Sequence, residues 1–223
     1  MQILVLNGGK GTRVKSVSRS KPKCMILFKK KPFIFHQIKL LQKKGFSNIT
    51  FCLGYRSKKI INYLKSLKFK KLKLDYVVEK KKLGTAGAVI NAKKKINNIF
   101  FLTYGDSYLD INYKKALSKF KKNKKRCLMT VVNKKYVKNH KCNVQLNGEN
   151  LMHYGYSSDC NYIDFGALIF SKKVFDRKKT SYLDLRLVIN DLVNKQQIKT
   201  LKINKKFLHI GSIQGIKEFT KTI

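Results

Sequence analysis

The segment LVLNGGKGTR, residues 4–13, runs from uninterrupted apolar residues into three glycines within four positions, followed by a hydroxyl and an arginine. A continuous apolar run is typical of a strand that is covered on both faces of a sheet. Glycines after such a strand let backbone N–H groups approach a phosphate closely, and Thr12 and Arg13 offer further donors. The segment therefore predicts a βα unit whose connecting turn holds phosphate groups.

This glycine turn differs from two familiar phosphate-binding motifs. The spacing GxxxxGK[ST] is absent, and the fingerprint GxGxxG would need a glycine where the chain has Val14. A plain turn that only closes the βα unit is the alternative interpretation. Such a turn has no use for three glycines followed by an arginine.

Strand-length apolar runs alternate with helical patterns along the first half of the chain. The predicted strands are Ile3–Leu6, Ile49–Leu53, Leu72–Val78, Ile99–Thr103, Cys127–Val132, Tyr162–Phe170 and Ile198–Ile203, and the predicted helices are Phe33–Lys44, Lys58–Leu67, Thr85–Ile96, Ser181–Asn194 and Ile213–Thr220. This order favours βαβ units, and Asn147-Gly148 adds a hairpin signal. We expect an α/β fold over residues 1–223, a single three-layer domain with a mostly parallel central sheet and a small antiparallel insert.

The composition is strongly basic, with 51 Lys+Arg against 11 Asp+Glu and a net charge of +40 among 223 residues. Hydrophobic residues make up 43%, which is enough to build a core and excludes disorder driven by charge alone. The lysines are spread along the whole chain, whereas a nucleic-acid module usually gathers its charge on one face. We therefore expect no specific nucleic-acid partner and only nonspecific adhesion to polyanions.

Cysteine spacing and the length of the apolar runs indicate the cellular compartment in which the protein is expected. No apolar run approaches the roughly 20 residues that cross a bilayer, so no membrane span is expected. The N-terminus lacks the pattern of a signal peptide. Five scattered cysteines without a CxxC pair fit neither a disulfide framework nor a structural zinc site, and a reducing, cytoplasmic location is expected.

Short motifs in order along the chain resemble the signatures of the sugar-1-phosphate nucleotidyltransferases. They are GGKGTR at 8–13, PKCM at 22–25, KPF at 31–33, LGTAGA at 83–88 and YGDS at 104–107, with looser matches YIDFG at 162–166 and FLHIGS at 207–212. Within that family the chain is most similar to the heptose- or hexose-1-phosphate guanylyltransferases. The resemblance implies a nucleotide-diphospho-sugar transferase-like fold, with a nucleotide-binding half at 1–110 and a sugar-phosphate-binding half at 111–223.

The resemblance also implies roles for individual residues. The catalytic set is Arg13, Lys23 and Asp106, the nucleotide-binding set is Gly8, Gly9, Gly11, Thr12, Glu79, Gly84 and Thr85, the substrate-binding set is Gly105, Asp164 and Gly166, and the metal set is Asp106 and His209. The cofactor implied is Mg²⁺, with Mn²⁺ as the alternative. A carboxylate at Glu79 can accept hydrogen bonds from N1–H and N2–H₂ of guanine, which favours GTP over CTP. A solvated Glu79 that pairs with Lys80–Lys82 is the competing interpretation.

The chain departs from the family pattern at two places. His209 stands where the family generally has an acid, and imidazole suits transition metals better than Mg²⁺. Asp106 alone then holds the ion, or the metal preference moves toward Mn²⁺, or His209 only packs. The second departure is a missing lysine for the sugar phosphate near Met152–Tyr156, for which His153 or a neighbouring lysine is the candidate substitute.

The sequence thus predicts a metal-dependent enzyme of nucleotide-sugar biosynthesis. It would transfer NMP from an NTP, preferably GTP, to a sugar 1-phosphate, giving an NDP-sugar and pyrophosphate. The alternatives are a cytidylyltransferase for a non-sugar phosphate such as phosphocholine, and a degenerate protein that binds nucleotide, or nucleic acid, without catalysis. The sugar, the base and the oligomeric state are not fixed by the sequence.

Overall fold

The computed structural model describes residues 1–9, 21–137, 140–176 and 181–223. Gly11, Thr12 and Arg13, which carry part of the predicted phosphate site, lie outside the described residues. The strands are β1 Gln2–Asn7, β2 Leu27–Phe28, β3 Lys31–Pro32, β4 Asn48–Leu53, β5 Lys73–Val78, β6 Ile99–Tyr104, β7 Ser107–Tyr108, β8 Cys127–Asn133, β9 Val144–Asn147, β10 Asn150–Tyr154, β11 Tyr162–Ser171, β12 Ile198–Ile203 and β13 Leu208–His209. The helices are α1 Phe33–Lys43, α2 Ser57–Ser66, α3 Gly84–Asn91, α4 Tyr113–Lys122, α5 Leu185–Asn194 and α6 Ile213–Thr222.

The central sheet has nine strands among the described residues, in the order β5-β4-β1-β6-β11-β8-β12-β10-β9. The first four are parallel, as the alternation of strands and helices predicts. Beyond β6 the prediction of a mostly parallel sheet is wrong. β11 is antiparallel to both β6 and β8, β12 is parallel to β8, and β10 is antiparallel to β12 and β9. The sheet is therefore mixed.

The hairpin of β9 and β10 explains this difference. It forms around Gly148, as the Asn-Gly signal predicts, but β10 also pairs with β12, so the hairpin extends the main sheet instead of forming a separate insert. No helix separates β10 from β11. The chain reverses at the β9–β10 hairpin, so β10 and β11 both run opposite to β8 and β12. β11 therefore lies between β6 and β8 and is antiparallel to both.

Helices cover both faces of the sheet because its strands present apolar side chains alternately to either side. In β1, Ile3 and Val5 belong to the core beneath α1, α2, α4 and α6, while Leu4 belongs to the core beneath α3 and α5. Phe101 and Phe100 of β6 divide in the same way. The predicted α/β class is confirmed by this arrangement.

Three helices begin at residues other than those predicted, and α2 differs by a single residue, since it begins at Ser57 instead of Lys58. The helix predicted from Thr85 begins at Gly84, and the Thr85 Oγ1 accepts the N–H of Leu185 at 2.7 Å. The predicted helix from Ser181 begins only at Leu185, because Asp184 caps it by accepting the N–H of Arg186 at 2.8 Å.

The pair β7 and β13 positions the end of the chain. These two-residue strands are antiparallel, with His209 opposite Ser107. Elements this short leave no periodic pattern in a sequence, so they were not predicted. Their pairing returns residues 208–209 to the carboxyl end of β6, immediately after Asp106.

All five cysteines are free, and four of them are buried. Burial raises the pKa of Cys24 to about 12. In the part of the chain that the structure describes, no helix combines the length and apolar character that crossing a membrane requires.

Candidate active site

A cleft of about 370 Å³ opens at the carboxyl ends of β1 and β6, which is where open α/β sheets bind ligands. Its lining brings together eight of the predicted site residues, namely Gly8, Gly9, Lys23, Glu79, Gly84, Thr85, Gly105 and Asp106. Leu6, Asn7, Pro22, Cys24, Lys82, Ala88 and Tyr104 complete it. Residues from motifs that are far apart along the chain thus line one cleft.

One wall of the cleft is formed by Glu79 lying against two glycines. Glu79 follows β5, and its N–H donates to the Leu53 carbonyl at 2.9 Å. A Cβ atom on Gly8 would lie 2.6 Å from Glu79 Oε1, and one on Gly54 would overlap the same oxygen. Both positions therefore have to be glycine for the carboxylate to lie here. Gly54 was missed from the sequence, although a glycine directly after a buried strand was the available signal.

The Glu79 carboxylate is also held from its other side. Its Oε2 accepts the N–H of Leu83 at 3.2 Å, which leaves Oε1 facing the two glycines. Burial raises the pKa of Glu79, and the Leu83 N–H and the Lys82 charge oppose this shift. The result is a carboxylate held at the wall of the cleft, with Lys82 in the same lining, and its contact with a base stays a prediction.

Lys23 and Asp106 form an ion pair at the cleft, with 2.7 Å between Lys23 Nζ and Asp106 Oδ2. Lys23 begins a short 3-10 turn after Pro22, and Asp106 follows β6 and Gly105. Their side chains are only 17% and 27% exposed, so water screens this pair less than more exposed pairs such as Lys195–Asp191, at 64% and 45%. The ammonium and the carboxylate are thus fixed next to each other where ligands enter.

The Asn7 side chain leaves no room for a side chain at position 105. A Cβ atom on Gly105 would overlap the side-chain amide of Asn7, which ends β1 and lines the cleft. The Asn7 Nδ2 atom is buried and has no hydrogen-bond partner among the described residues. Gly105 therefore serves protein packing in the structure, and its predicted contact with substrate is untested. Asn7 was missed, although a polar residue at the end of a buried strand was a visible signal.

His209 lies beside Asp106 through the β7–β13 pair. Its Nδ1 accepts the N–H of Gly211 at 3.0 Å, and its Nε2 is 3.3 Å from Nε2 of His140. A Cβ atom on Gly211 would be 3.2 Å from Asp106 Oδ2. Burial lowers the pKa of His209, the nearby Asp106 charge opposes this, and His140 adds to it. His140 was not predicted, because nothing in the sequence links two histidines so far apart.

The donors around Asp106 suit a hard cation only in part. Mg²⁺ takes few protein carboxylates and completes its shell with phosphate oxygens and water, so the Asp106 carboxylate fits it. Both ring nitrogens of His209 already have hydrogen-bond neighbours. Across residues 1–9, 21–137, 140–176 and 181–223, no cluster of three or more His, Cys, Asp or Glu side chains could hold a metal. A cation here would therefore depend on Asp106 and on the phosphates of a bound nucleotide.

Asp164 and Gly166 lie in β11, outside the lining of the cleft. Asp164 Oδ2 accepts the Tyr154 hydroxyl at 3.1 Å, and Oδ1 accepts the Gly166 N–H at 2.8 Å. Burial raises the pKa of Asp164 to about 6, against these two hydrogen bonds. Gly166 has φ of +92°, and a Cβ there would be 3.6 Å from the ring of Tyr104, a residue of the cleft. The pair is therefore adjacent to the cleft, and Tyr154 is a partner that the sequence did not reveal.

The LGTAGA segment packs mainly against protein. Gly84 has φ of +72°, and a Cβ there would be 2.6 Å from the carbonyl oxygen of Leu183. A Cβ on Gly87 would overlap the Ser181 carbonyl. Gly84 was expected to bind nucleotide, whereas the structure brings the backbone at both glycines close to residues 181–183. Gly84 and Thr85 still line the cleft, and their contact with nucleotide remains a prediction.

The known proteins that this chain resembles are nucleotidyl transferases. A family model described as Nucleotidyl transferase matches residues 2–142. A D-glycero-alpha-D-manno-heptose 1-phosphate guanylyltransferase of Campylobacter jejuni is 36% identical over 129 residues, which are 57% of this chain and 56% of that protein. A mannose-1-phosphate guanyltransferase of Aspergillus oryzae is 32% identical over 126 residues, which are 55% of this chain and 35% of that protein. The chain thus spans about half, or less, of the length of the curated relatives it matches.

A solved structure resembles the whole chain. The crystal structure of HddC from Yersinia pseudotuberculosis, complexed with GMP-PN, matches with a TM-score of 0.84 and 26% sequence identity. The match covers 99% of this chain and 98% of that one. The match therefore extends beyond residues 2–142 to the second half of the chain.

Proposed function

The chain belongs to the nucleotidyl transferase family, and on that premise we propose that it transfers NMP from an NTP, preferably GTP, to a sugar 1-phosphate, with release of pyrophosphate. The observation that carries the proposal is the cleft in which the Lys23–Asp106 ion pair, the Gly8–Gly9 backbone and the Glu79 carboxylate meet. The reaction needs these three functions: a charged group for phosphates, backbone donors and an acceptor for the base.

In this reaction an oxygen of the sugar phosphate attacks the α-phosphorus, and the bond to the β-phosphate breaks. The protein has to bring two polyanions together and to stabilise charge as it develops, which is a task of positioning and electrostatics. We assign Lys23 to the phosphates, because its ammonium lies at the cleft and carries a charge of the required sign. Backbone N–H groups at Gly8 and Gly9 are assigned to the triphosphate, together with Gly11, Thr12 and Arg13 beyond the described residues.

A divalent cation, when bound, would neutralise phosphate charge. Asp106 is the residue proposed to hold it, because a carboxylate oxygen suits Mg²⁺ and Mn²⁺ alike. Asp106 also holds the Lys23 ammonium at 2.7 Å, so the same carboxylate orients the charged group assigned to the phosphates.

The preference for GTP is supported by Glu79. Its carboxylate is fixed by the Leu83 N–H and by the space at Gly8 and Gly54, and Glu79 belongs to the lining of the cleft. Guanine presents N1–H and N2–H₂ on one edge, which suits a carboxylate, whereas uracil and thymine present a single N–H. Two of the relatives described above are named as acting on sugar 1-phosphates with a guanylyl group, which agrees with this choice.

For the acceptor, we propose the region of Asp164, Tyr154 and Gly166, which adjoins the cleft at Tyr104. The Asp164 carboxylate and the Tyr154 hydroxyl form a hydrogen-bonded pair of the kind that binds sugar hydroxyls. β10 carries no lysine for the sugar phosphate. The positive charge for that phosphate is therefore assigned to Lys23.

The experiment is a transfer assay on the purified chain with Mg²⁺. GTP, CTP, UTP, dTTP and ATP are each combined with mannose 1-phosphate, glucose 1-phosphate, a heptose 1-phosphate or phosphocholine, and pyrophosphate release is measured. We expect the highest rates with GTP and a sugar phosphate. Turnover of CTP with phosphocholine would favour the cytidylyltransferase alternative. Nucleotide binding without turnover would favour a non-catalytic protein.

A matched pair of variants tests the site. Asp106→Asn should lower kcat/KM by about 10³-fold, because both the proposed cation ligand and the partner of Lys23 are lost. Asp110→Asn is the control, since Asp110 is 56% exposed and pairs with Lys44 at the surface. The control should stay within about twofold of the wild type, as surface ion pairs contribute little. Equal rates for Asp106→Asn and the wild type, with unchanged thermal unfolding, would remove this site assignment.

A further inference from the structure

His140 and His209 form a hydrogen-bonded chain that ends beside Asp106. The Gly211 N–H donates to Nδ1 of His209 at 3.0 Å, and Nε2 of His209 lies 3.3 Å from Nε2 of His140. His209 also lies opposite Ser107 in the β7–β13 pair, and the next N–H along, that of Ile210, donates to the Asp106 carbonyl at 2.8 Å. These hydrogen bonds therefore connect His140 to the backbone around Asp106, the proposed cation ligand.

The directions of these hydrogen bonds fix the protons on both rings. A backbone N–H can only donate, so Nδ1 of His209 is the acceptor and carries no proton. A neutral His209 then carries its proton on Nε2 and donates it to Nε2 of His140, which must place its own proton on Nδ1. Burial lowers the pKa of His209, in keeping with a neutral ring. Nδ1–H is the minor tautomer of free histidine in water, and Nδ1 of His140 is buried with no hydrogen-bond partner among the described residues, so the contact with His209 alone favours this tautomer.

The same assignment leaves His209 without a lone pair for a metal. The lone pair on Nδ1 is directed at the Gly211 N–H, and Nε2 holds the proton that His140 accepts. A histidine that binds a metal offers an unprotonated nitrogen to the ion and donates from the other one. His209 does not meet the first condition unless its bond to Gly211 breaks.

We propose that His209 is a positioning residue rather than a ligand of the cation, and that His140 holds it in this role. His209 keeps the turn around Gly211 against Asp106, where a Cβ on Gly211 would be 3.2 Å from Asp106 Oδ2. His140 keeps the His209 ring in the tautomer that accepts from Gly211. The inference rests on the proposed function only in taking Asp106 as the residue that holds the cation.

The tautomers can be measured directly by long-range ¹H–¹⁵N correlation NMR of the chain labelled with ¹⁵N-histidine, without nucleotide, at about pH 8, where histidines are neutral. The chain has only 4 histidines, and single His→Gln variants assign them. His36 is an internal reference for Nε2–H, because its Nε2 lies 3.0 Å from the Phe28 carbonyl, which can only accept. We expect Nε2–H at His209 and Nδ1–H at His140. A protonated Nδ1 at His209 would overturn the proposal.

Pulsed EPR on the same labelled chain with Mn²⁺ and GTP tests coordination. We expect no coupling of a directly bound histidine ¹⁵N to Mn²⁺, and the isotope separates histidine from guanine nitrogens. A strong histidine ¹⁵N coupling that disappears in His209→Gln would show that His209 is a ligand and would overturn the proposal.

Two variants at His140 separate positioning from packing. His140→Gln retains an acceptor for the His209 Nε2–H, whereas His140→Phe retains an aromatic ring against Phe207 but has no acceptor. With GTP present, His140→Phe should weaken Mn²⁺ binding about tenfold, the low end of the effect of groups that act on a metal through its ligands, because His140 acts on Asp106 only through His209 and Gly211. His140→Gln should stay within about twofold of the wild type. Equal Mn²⁺ affinity in both variants would contradict the role of His140.

These results are distinguishable from a failure of the proposed function. The tautomer measurement needs neither nucleotide nor turnover. Predicted tautomers in a chain without transferase activity would contradict the proposed function alone. Transfer activity together with histidine-bound Mn²⁺ would contradict this inference alone.

Discussion

The two sides of the cleft are built in different ways. On the side of the parallel strands, close packing depends on glycines, which have no side chain. Gly8 and Gly54 leave the space in which Glu79 lies, and Gly84 allows the backbone to contact Leu183. On the side of the mixed strands, hydrogen bonds between side chains hold the residues in place, such as the bond from the Tyr154 hydroxyl to Asp164.

This difference predicts how each side responds to change. A steric fit fails abruptly, because an added methyl group meets backbone that cannot move without disturbing a strand. A hydrogen bond between side chains contributes a modest net free energy and responds to protonation. The first side should therefore be sensitive to size and the second to pH.

Gly84→Ala should have the largest effect on stability. A Cβ at this position meets the Leu183 carbonyl oxygen at 2.6 Å, and φ of +72° is unfavourable for alanine. We expect the free energy of unfolding to fall by about 3 kcal/mol, measured in urea. Gly148→Ala is the matched control, since Gly148 has φ of +62° with no atom within 4 Å of a Cβ. It should cost only about 1 kcal/mol. Equal losses would mean that conformation, not contact, sets the size of the effect.

Asp164→Asn should have the next largest effect, and one that depends on pH. The folded-state pKa of Asp164 is raised from 3.8 to about 6, so the folded chain binds its proton more tightly than the unfolded chain. The free energy of unfolding therefore falls as pH rises from about 4 to 6, and the loss is complete above the folded-state pKa. Asparagine does not titrate, so the Asp164→Asn variant does not lose this part of the free energy of unfolding as pH rises.

Urea titrations at several pH values measure this effect. We expect Asp164→Asn to be more stable than the wild type by about 2 kcal/mol at pH 7, after discounting for partial contact with solvent, and equal to it near pH 4. Tyr154→Phe removes a hydrogen bond that lowers the pKa of Asp164, so it should move the window to higher pH. A difference between Asp164→Asn and wild type that is independent of pH would contradict the role of burial.

Glu79→Gln tests the first side through binding rather than stability. Gln preserves size but replaces one carboxylate oxygen by an amide, which repels the donors on the guanine edge. We expect KM for GTP to rise about tenfold, or about 1.4 kcal/mol, in steady-state assays. Glu149→Gln is the control, because Glu149 is exposed and pairs with Lys119. A change of KM that is equal for GTP and ATP would contradict recognition of the base by Glu79.

Thr85→Val should have the smallest effect. The Thr85 hydroxyl accepts the Leu185 N–H at 2.7 Å, and its loss should lower the free energy of unfolding by about 1 kcal/mol. Thr103 is a matched control, since its hydroxyl is buried without a partner among residues that the structure describes. Thr103→Val should be neutral or slightly stabilising in thermal unfolding. A loss at Thr103 as large as that at Thr85 would show that valine shape, not the hydrogen bond, decides the outcome.

The parallel side was more predictable from sequence than the mixed side, for the same physical reason. A position that requires glycine is visible in the sequence as a glycine, so Gly8 was singled out in the glycine-rich turn and Gly84 and Gly105 in the family motifs that contain them, although Gly54 was missed. Continuous apolar runs likewise predicted β1, β4 and β6. Arg13 stays a prediction, because residues 10–20 lie outside the described part of the chain.

The mixed side depends on contacts that a sequence does not encode locally. His140 and His209 are separated by 69 positions, and either could equally serve as a core or surface residue. The direction of β11 follows from the reversal of the chain at the β9–β10 hairpin and not from its own apolar pattern. The two-residue strands β7 and β13 are held by tertiary position alone, which is why the contacts near Asp106 could not be derived beforehand.

The pairing of Lys23 with Asp106 has a consequence for how ligands assemble. A bare divalent ion that reaches this protein competes with an ammonium group already 2.7 Å from the carboxylate, and the competition weakens its hold. A triphosphate offers Lys23 another anionic partner and frees Asp106 at the same moment. Affinity for ion and nucleotide should therefore increase together, each by the same factor, as thermodynamic reciprocity demands. Free metal in the cell would then leave the resting protein largely unoccupied until its nucleotide arrives.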